Sequence, residues 1–404
     1  MTTLNPQNVL HPDQIHSGYA SAPQPLYSLP GDHRFHAGDD DSMDAFHEWQ
    51  YFTLLGKDLD TGDDISFFWC IFQTAHDPRR GHSHNSVFLA YYNQNTGEFW
   101  SSANHLGGPL FSRGTSPDEP DFNFAYFMDD PVATWSAHYE HVNEMWRFAG
   151  SSTNDTLDGF TRNDPFVFDV TMQVRHPGYI PGAYCGPEGV GVTPGYRRNP
   201  DTAWGLTRYL TAPTSNMEGA IEIGGRTRRI EGIAFFEHHW GNCRDVETSR
   251  YFWGYMRLDD GRAFTWGQHC KRPESTDCDI GRTRFQLVNS DGPHQHAFGP
   301  TFVYTFTKWW TAALNGNTFP WWGEMETASG TLYFGPRWPF EEPLGLRHTS
   351  TRRIGGCSHI RIGSPDGPIV GTGFFEVADV PMGVSAPRVF KERGFRLNID
   401  DMNR

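Results

Sequence analysis

Short turn sequences that contain glycine recur between residues 60 and 367, and they constrain the possible fold more than any other feature. Glycine supplies the positive φ that a tight hairpin needs, and β-branched or aromatic residues flank most of these turns. Helical periodicity is hard to find: the stretch from Trp135 to Phe148 is the best helix candidate, but it suits a strand as well. The pattern predicts a mainly β fold. The turns are Asp60-Thr61-Gly62, Asn95-Thr96-Gly97, Gly224-Gly225, Asp259-Asp260-Gly261, Ser290-Asp291-Gly292 and Pro365-Asp366-Gly367.

The length of the chain favours two domains. A chain of 404 residues exceeds the ~250–300 residues at which single hydrophobic cores stop growing. Aromatic residues make up 15% of it, and aromatic side chains favour strands and apolar pockets. The Gly- and Pro-containing stretch from Pro177 to Pro200 predicts a long loop. We predict an irregular N-terminal segment at residues 1–45, followed by β domains at residues 46–225 and 226–404.

Charge and cysteine content argue against several classes of function. The formal net charge is −15, and an acidic surface repels nucleic acid and anionic membranes. The six cysteines are scattered without a C-x-x-C pair, so they do not indicate a zinc site. The N-terminus lacks the pattern of a signal peptide, and no apolar run approaches the ~20 residues that span a bilayer. We therefore predict a cytoplasmic protein that neither binds nucleic acid nor inserts stably into a membrane; its oligomeric state stays open.

A first candidate acid, Glu48, lies in the segment HEWQYF at residues 47–52. A carboxyl group between aromatic side chains has a raised pKa, so it can hold a proton at neutral pH. Spacing alone favours a simpler alternative, in which Glu48 begins a strand on its solvent face while Trp49 and Tyr51 face the core.

The central candidate is Glu237, in the segment EGIAFFEHHWGN at residues 231–242. Strand alternation places Glu237 and His239 on one face and His238 on the other. Apolar walls raise the pKa of a carboxyl group, which suits a general acid, and aromatic faces stabilise a nearby cation. A metal site is disfavoured because His238 and His239 point to opposite faces and cannot both bind one ion. A buried Glu237 that is paired with Arg244, or hydrogen-bonded to a histidine, stays open as the structural alternative.

A third carboxyl group, Glu376, lies in the segment GTGFFEV at residues 371–377, where a structural role is the favoured interpretation. The signatures of nucleotide binding and of serine hydrolases, G-x-G-x-x-G, the P-loop and G-x-S-x-G, do not occur in the sequence. The opposed side chains of His238 and His239 and the absence of paired cysteines predict no metal requirement, and the family resemblance described next implies a protein without a cofactor.

These three segments, in this order and at these distances, resemble the lipocalin-like family of carotenoid hydratases and AttH-like proteins, to which fungal decalin-forming Diels–Alderases are related in fold. The family motif Glu-Trp-Trp-Tyr corresponds to residues 48–51, with Gln50 in place of a tryptophan. The central motif corresponds to residues 232–241, with Glu237 where the family has aspartate, and a late Gly-x-Gly motif corresponds to residues 371–376. The segment WGLTRY at residues 204–209 also resembles the strand that leads into the central motif.

The resemblance implies two packed antiparallel β domains, each a lipocalin-like barrel or β-sandwich, with a cleft for a hydrophobic small molecule. It implies a hydratase or cyclase, in the lyase or isomerase class, that acts on a C=C bond of an isoprenoid or polyketide-like substrate by acid catalysis. Glu237, His239 and Glu48 are the predicted catalytic residues. The predicted substrate-binding residues are Trp49, Tyr51, Phe235, Trp240, Asn242, Tyr209 and Glu376. Two alternatives remain: a Diels–Alderase-like pericyclase that works by folding its substrate, and a non-enzymatic carrier of a hydrophobic ligand.

Overall fold

The part of the chain that the computed structural model describes is almost entirely β structure. No helix in this part is long and apolar enough to cross a membrane. The described residues are 33, 46–77, 82–107, 111–114, 120–129, 132–153, 165–175, 207–242, 251–261, 263–269, 284–288, 294–298, 303–311, 318–327, 330–335, 340–341 and 353–378.

The chain divides into two compact units, with the division after residue 243. The strands of the first unit are β1 (Phe46–Asp58), β2 (Asp64–Asp77), β3 (His82–Asn93), β4 (Phe99–Gly107), β5 (Phe111–Gly114), β6 (Phe122–Asp129), β7 (Val132–Glu140), β8 (Met145–Thr153), β9 (Pro165–Gln173), β10 (Thr207–Ile223) and β11 (Arg226–Asn242). They form one 11-stranded sheet in the order β4-β3-β2-β1-β11-β10-β9-β8-β7-β6-β5. The predicted boundary between residues 225 and 226 lies at the β10–β11 turn, and β11 belongs to this first sheet.

The second unit holds a 10-stranded sheet of the same antiparallel kind. Its strands are β12 (Tyr251–Leu258), β13 (Ala263–His269), β14 (Arg284–Val288), β15 (His294–Phe298), β16 (Val303–Thr311), β17 (Thr318–Thr327), β18 (Gly330–Phe334), β19 (Phe340–Glu341), β20 (Arg353–Ile362) and β21 (Ile369–Ala378). The order is β15-β14-β13-β12-β21-β20-β18-β17-β16, and β19 pairs with β20.

The turns confirm the mainly β prediction. Gly62 and Gly97 have φ values of 79° and 75°, as the tight hairpins require. In the β20–β21 turn the positive φ falls on Gly363, at 82°, rather than on the glycine predicted at residue 367. The helix candidate between Trp135 and Phe148 is wrong, because this stretch forms most of the β7–β8 hairpin. The predicted turn at residues 290–292 and loop at residues 177–200 lie outside the described residues.

The core of the first unit is rich in aromatic side chains. On β9, Phe166 and Phe168 are buried and alternate with more exposed neighbours. The ring of Phe52 lies 4.1 Å from that of Phe148 and 4.7 Å from that of Phe236, centroid to centroid. Full burial of a phenylalanine side chain contributes about 1.5–3 kcal/mol, so such contacts are a main source of stability.

The central strands of the first sheet are buried on both faces. On β1, Phe52 and Leu54 belong to the core, and the face that they share with Phe236 is called the core face. Tyr51, Thr53 and Leu55 point the other way, to the far face, yet none of them is more than 5% exposed. In an antiparallel sheet with one solvated face these positions are polar and exposed. The centre of this sheet therefore has two dry faces.

Two glycines bring β1 and β11 unusually close together. Gly56 lies opposite Gly232 across this strand pair. A Cβ atom on Gly56 would overlap the backbone of Glu231, and one on Gly232 would overlap the backbone of Leu55. A side chain at either position would therefore push the strands apart. This close approach helps to fix the register between β1 and β11.

The two sheets share a topology and a sequence pattern. In each sheet the last strand returns to pair with the first: β11 with β1, and β21 with β12. The pattern Trp-x-Tyr occurs on both first strands, at residues 49–51 and 253–255, and Phe-Phe-Glu occurs on both last strands, at residues 235–237 and 374–376. The second unit therefore repeats the strand pair that carries the central motif.

Candidate functional site

The candidate site lies where β1 pairs with β11. Tyr51 lies opposite Glu237 in this pair, and Gln50 lies opposite His238. Because neighbouring residues of a strand point to opposite faces, this register separates the predicted site residues into two groups. Glu48 shares the core face with Gln50 and His238, whereas Glu237 and Tyr51 share the far face.

On the core face, Glu48 and His238 form a buried hydrogen-bonded pair. Glu48 Oε1 lies 2.8 Å from His238 Nε2, and both side chains are 0% exposed. The simpler alternative, with Glu48 on a solvent-facing strand surface, is therefore wrong. Burial of the carboxyl group is tolerated because a hydrogen-bonding partner replaces the lost water.

Gln50, which departs from the family motif, also has a partner on the core face. Its Nε2 atom donates a hydrogen bond of 2.8 Å to the backbone carbonyl of His33. His33 is 2% exposed, and its ring lies 4.0 Å from that of Tyr139 and 5.9 Å from that of Phe236. Protein side chains therefore fill the core face at this point.

On the far face, Glu237 is held by a tryptophan. The indole Nε1 of Trp49 donates a hydrogen bond of 2.7 Å to Glu237 Oε1. Glu237 is buried, with 6% of its surface exposed. The structural alternative foresaw a histidine or Arg244 as the partner; Arg244 lies outside the described residues, and Trp49 is a partner that this alternative did not foresee.

Aromatic side chains line the far face around Glu237. Tyr51 lies opposite it, and Phe235 lies two residues away on the same strand and is fully buried. The ring of Phe68, on β2, lies 4.6 Å from that of Tyr51. Cys70 lies opposite Tyr51 and is also buried. The carboxyl group of Glu237 thus lies on a mainly apolar, largely dry surface.

The hydrogen bonds on the two faces follow the same diagonal. Trp49 lies opposite His239 and reaches two residues back to Glu237. Glu48 makes the same two-residue step to His238. Diagonal neighbours in an antiparallel pair are ~7–8 Å apart, which is within reach of long side chains. A single strand register therefore sets both contacts.

Four other predicted residues lie on β11 and on its neighbour β10. His239, Trp240 and Asn242 belong to β11, and Tyr209 belongs to β10. Tyr209 pairs with His239, which in turn pairs with Trp49 on β1. The structure describes the backbone of these four residues, so their predicted roles remain predictions.

The structure places Glu376 in the second sheet. It lies opposite Trp253 on β12 and is 6% exposed. Phe374, two residues away on β21, has its ring 6.3 Å from that of Tyr255. Glu376 therefore has an aromatic setting of its own, which resembles that of Glu237.

Two features of these settings were missed in the sequence. His33 lies in the segment predicted to be irregular, and the only hint of its role was the polar side chain of Gln50, which needed a partner. Trp253 and Tyr255 repeat the Trp-x-Tyr pattern of β1. A comparison of the two Phe-Phe-Glu strands and the strands next to them would have found this repeat.

Metal binding has little support in the described part of the chain. There, no group of three or more His, Cys, Asp or Glu side chains lies close enough to hold a metal ion. His238 is engaged by Glu48 on the core face. That the protein needs no metal stays a prediction, which elemental analysis of the purified protein would test.

The fold recurs in several solved structures. A protein described as AttH from Nitrosomonas europaea matches with a TM-score of 0.61 at 16% identity, over 89% of this chain and 98% of that one. Kievitone hydratase from Nectria haematococca matches with a TM-score of 0.57 at 11% identity, over 90% and 95% of the two chains. The Diels–Alderase CghA matches with a TM-score of 0.53 at 12% identity, over 92% and 98%. The chain has the AttH fold.

The AttH fold confirms the predicted resemblance and the lipocalin-like β class. Sequence comparison finds no matching family model and no matching curated protein. Because the AttH-fold structures are at most 16% identical to this chain, they carry the fold and not the activity. The geometry around Glu237 is therefore the main evidence on function.

Proposed function

We propose that this protein is a cofactor-free hydratase or cyclase that acts on a C=C bond of a hydrophobic substrate, with Glu237 as its general acid. The observation that carries the proposal is a buried carboxyl group on an aromatic, largely dry face, held by the indole N–H of Trp49. Such surroundings suit an acid that must protonate carbon, because bulk water does not compete with the alkene for the proton.

The far face is the better candidate for the reaction than the core face. On the core face the ring of Phe236 packs between those of Phe52 and His33, at centroid distances of 4.7 Å and 5.9 Å. Glu48 and His238 are bonded to each other there. We therefore assign the acid role to Glu237 and a structural role to the Glu48–His238 pair.

The proposed reaction begins with transfer of the Glu237 proton to one carbon of the alkene. The O–H bond breaks, the π electrons form the new C–H bond, and a cation remains on the neighbouring carbon. In a hydratase, water adds to that cation and returns a proton to the carboxylate. In a cyclase, a second alkene of the substrate attacks the cation, and loss of a proton from an adjacent carbon restores the acid.

The remaining predicted residues take supporting roles in this proposal. Tyr51 and Phe235 would provide aromatic surface for the substrate and for the cation. His239 would assist proton transfer, and Tyr209, Trp240 and Asn242 remain candidate substrate contacts; the predicted substrate-binding role of Glu376, in the second sheet, is a separate prediction. The named functions of the fold relatives lend support, since kievitone hydratase and a Diels–Alderase share this fold. CghA has also been solved with the small molecule Sch210972, and that structure matches this chain with a TM-score of 0.51.

A reaction in heavy water tests the acid role. The substrates are any hydrophobic molecule that copurifies with the protein, together with kievitone and an acyclic carotenoid as probes. We expect one deuterium on a carbon of the product, because the carboxyl proton of Glu237 exchanges with solvent. Glu237→Gln should lower the rate by at least ~100-fold, the lower end of what general acid catalysis contributes.

The matched control is Glu218→Gln, which changes an exposed carboxyl group on β10 and should leave the rate unchanged. Product incubated with the enzyme in heavy water excludes later exchange. Unlabelled product formed at an undiminished rate by Glu237→Gln would contradict the acid role and favour a pericyclase. A copurified ligand that is released unchanged under all conditions would favour the carrier.

A further inference from the structure

We propose that Trp49 is the positioning residue of the acid: its indole N–H holds Glu237 in one orientation and stabilises the carboxylate that proton transfer leaves behind. The catalytic meaning of this inference rests on the proposed function. The contact itself can be tested without any substrate.

The contact assigns different roles to the two carboxyl oxygens of Glu237. An indole N–H can only donate, so Glu237 Oε1 is the acceptor in the 2.7 Å bond from Trp49. A protonated carboxyl group accepts hydrogen bonds best through its carbonyl oxygen. The acid proton is therefore carried by Oε2, and Trp49 prevents the two oxygens from exchanging places by rotation.

The same bond strengthens as the reaction proceeds. When the proton leaves Oε2, negative charge spreads over both oxygens, and hydrogen bonds to charged acceptors are roughly twice as strong as neutral ones. A donor that is already in place stabilises developing charge most effectively in dry surroundings. The hydrogen bond from Trp49 stabilises the carboxylate more than it stabilises the protonated acid, so it lowers the barrier to proton transfer. Trp49 therefore acts mainly on kcat and little on KM.

The strand pair keeps this donor in place. Trp49 is half-buried on β1, directly opposite His239 on β11. The glycine pair of Gly56 and Gly232 holds the two strands close together, seven residues along from Trp49 and His239 on each strand. The indole therefore reaches Glu237 from a fixed backbone position rather than from a loop.

Other titratable groups lie near Glu237, and their titrations must be distinguished from that of Glu237 in any measurement. Tyr51 lies opposite it on β1, and Cys70 lies opposite Tyr51 on β2. His239 and Tyr209 form a pair two residues along β11 and β10 from Glu237. Of these side-chain types, histidine ordinarily titrates between pH 5 and 8. A titration must therefore be assigned to Glu237 through its variant and not through its midpoint.

The direct test follows the indole N–H signals of the full chain by NMR. The chain has 14 tryptophans, which are labelled with ¹⁵N, and Trp49→Phe identifies the Trp49 signal by its loss. We expect this signal to shift with pH as Glu237 ionises, and we expect the shift to disappear in Glu237→Gln. Trp69 provides an internal control, assigned through Trp69→Phe. Its buried Nε1 has no hydrogen-bond partner within the described residues, so its signal should not follow that titration.

Two further measurements separate a positioning role from a purely structural one. Infrared difference spectra, with Glu237→Gln as reference, report the titration of the Glu237 carboxyl group. In Trp49→Phe its midpoint should move to higher pH by about one unit or more, because the charged form loses a donor. With a converted substrate, Trp49→Phe should lower kcat by about ten- to hundredfold and change KM by less than about threefold.

The outcomes distinguish this inference from the proposed function. If the pH-dependent shift of the Trp49 signal were the same in Glu237→Gln as in the wild-type protein, the contact would be overturned. This measurement leaves Trp49 itself unchanged. A Trp49→Phe variant with undiminished kcat, beside an inactive Glu237→Gln, would overturn the positioning role and leave the acid role standing. An active Glu237→Gln with an intact Trp49 contact would overturn the acid role and, with it, the catalytic meaning of Trp49.

Discussion

Glu48 and His238 share a hydrogen bond in a part of the core from which water is excluded. Removing such groups from water is expensive, and the pair is tolerated because each partner satisfies the other. The loss of one side chain breaks this hydrogen bond inside the core, where an unmade bond is costly. At the residue scale, Glu48 therefore matters for stability even though it lies on the face opposite Glu237.

We expect Glu48→Leu to lower the free energy of unfolding by about 3 kcal/mol or more, because the buried hydrogen bond between Glu48 and His238 is lost. Glu48→Gln keeps a hydrogen-bonding group and should lose less. Urea unfolding of both variants measures the effect. Glu218→Gln, at an exposed position on β10, is the control. If Glu48→Leu proved no less stable than that control, the structural role would be refuted.

At the scale of elements, the β7–β8 hairpin supports the core side of the site. Tyr139 donates a hydrogen bond of 2.6 Å to Glu144 Oε2, and the Tyr139 ring packs on His33. Glu144 has a φ of 51°, a left-handed conformation that is uncommon for residues other than glycine. Burial raises the pKa of Glu144, although the bond from Tyr139 and the nearby His141 oppose this. The turn thus holds a carboxyl group that ionises reluctantly.

This raised pKa predicts a pH dependence. The folded state binds the Glu144 proton more tightly than the unfolded state, so stability falls as pH rises from near the ordinary value of 4.5 through the higher folded pKa. Glu144→Gln removes this ionisation and keeps an acceptor for Tyr139. Relative to that variant, the wild-type protein should lose stability in urea unfolding as the pH rises above the ordinary value of 4.5. If the difference in the free energy of unfolding between the wild-type protein and Glu144→Gln stayed constant with pH, or grew in favour of the wild-type protein, burial would not be what sets the pKa of Glu144.

At the scale of the whole molecule, β11 is an interior strand that connects the two halves of the first sheet. It joins the run β1–β4 to the run β5–β10, and it carries both Glu237 and His238. It belongs to the first unit, which ends after residue 243. A domain boundary at residue 226 would remove this strand from the sheet that it completes.

Two fragments should therefore behave differently. Residues 1–243 keep β11, and we expect them to retain β structure by circular dichroism and to unfold cooperatively. Residues 1–225 lose the partner of β1 and β10, expose two unpaired strand edges, and should aggregate or unfold without a transition. Similar solubility and unfolding of the two fragments would mean that the first unit does not depend on β11.

The sequence by itself determined the β class and the alternation of the motif strands. Turn glycines and period-two patterns are local signals, so they placed Glu237 and His238 on opposite faces without any tertiary information. The same local signals misjudged Glu48, because alternation tells which residues share a face and not whether that face is dry.

Only the tertiary structure decided which residues meet. Trp49 and Glu237 are 188 residues apart in sequence, and Glu48 and His238 are 190 apart. Their contacts depend on the register between the first and last strands of one sheet, which no local pattern encodes. His33 reaches the core from a segment without periodicity, through a backbone carbonyl that any residue could supply. The local sequence thus indicated the candidate acid, and long-range strand pairing determined which side chain donates a hydrogen bond to it.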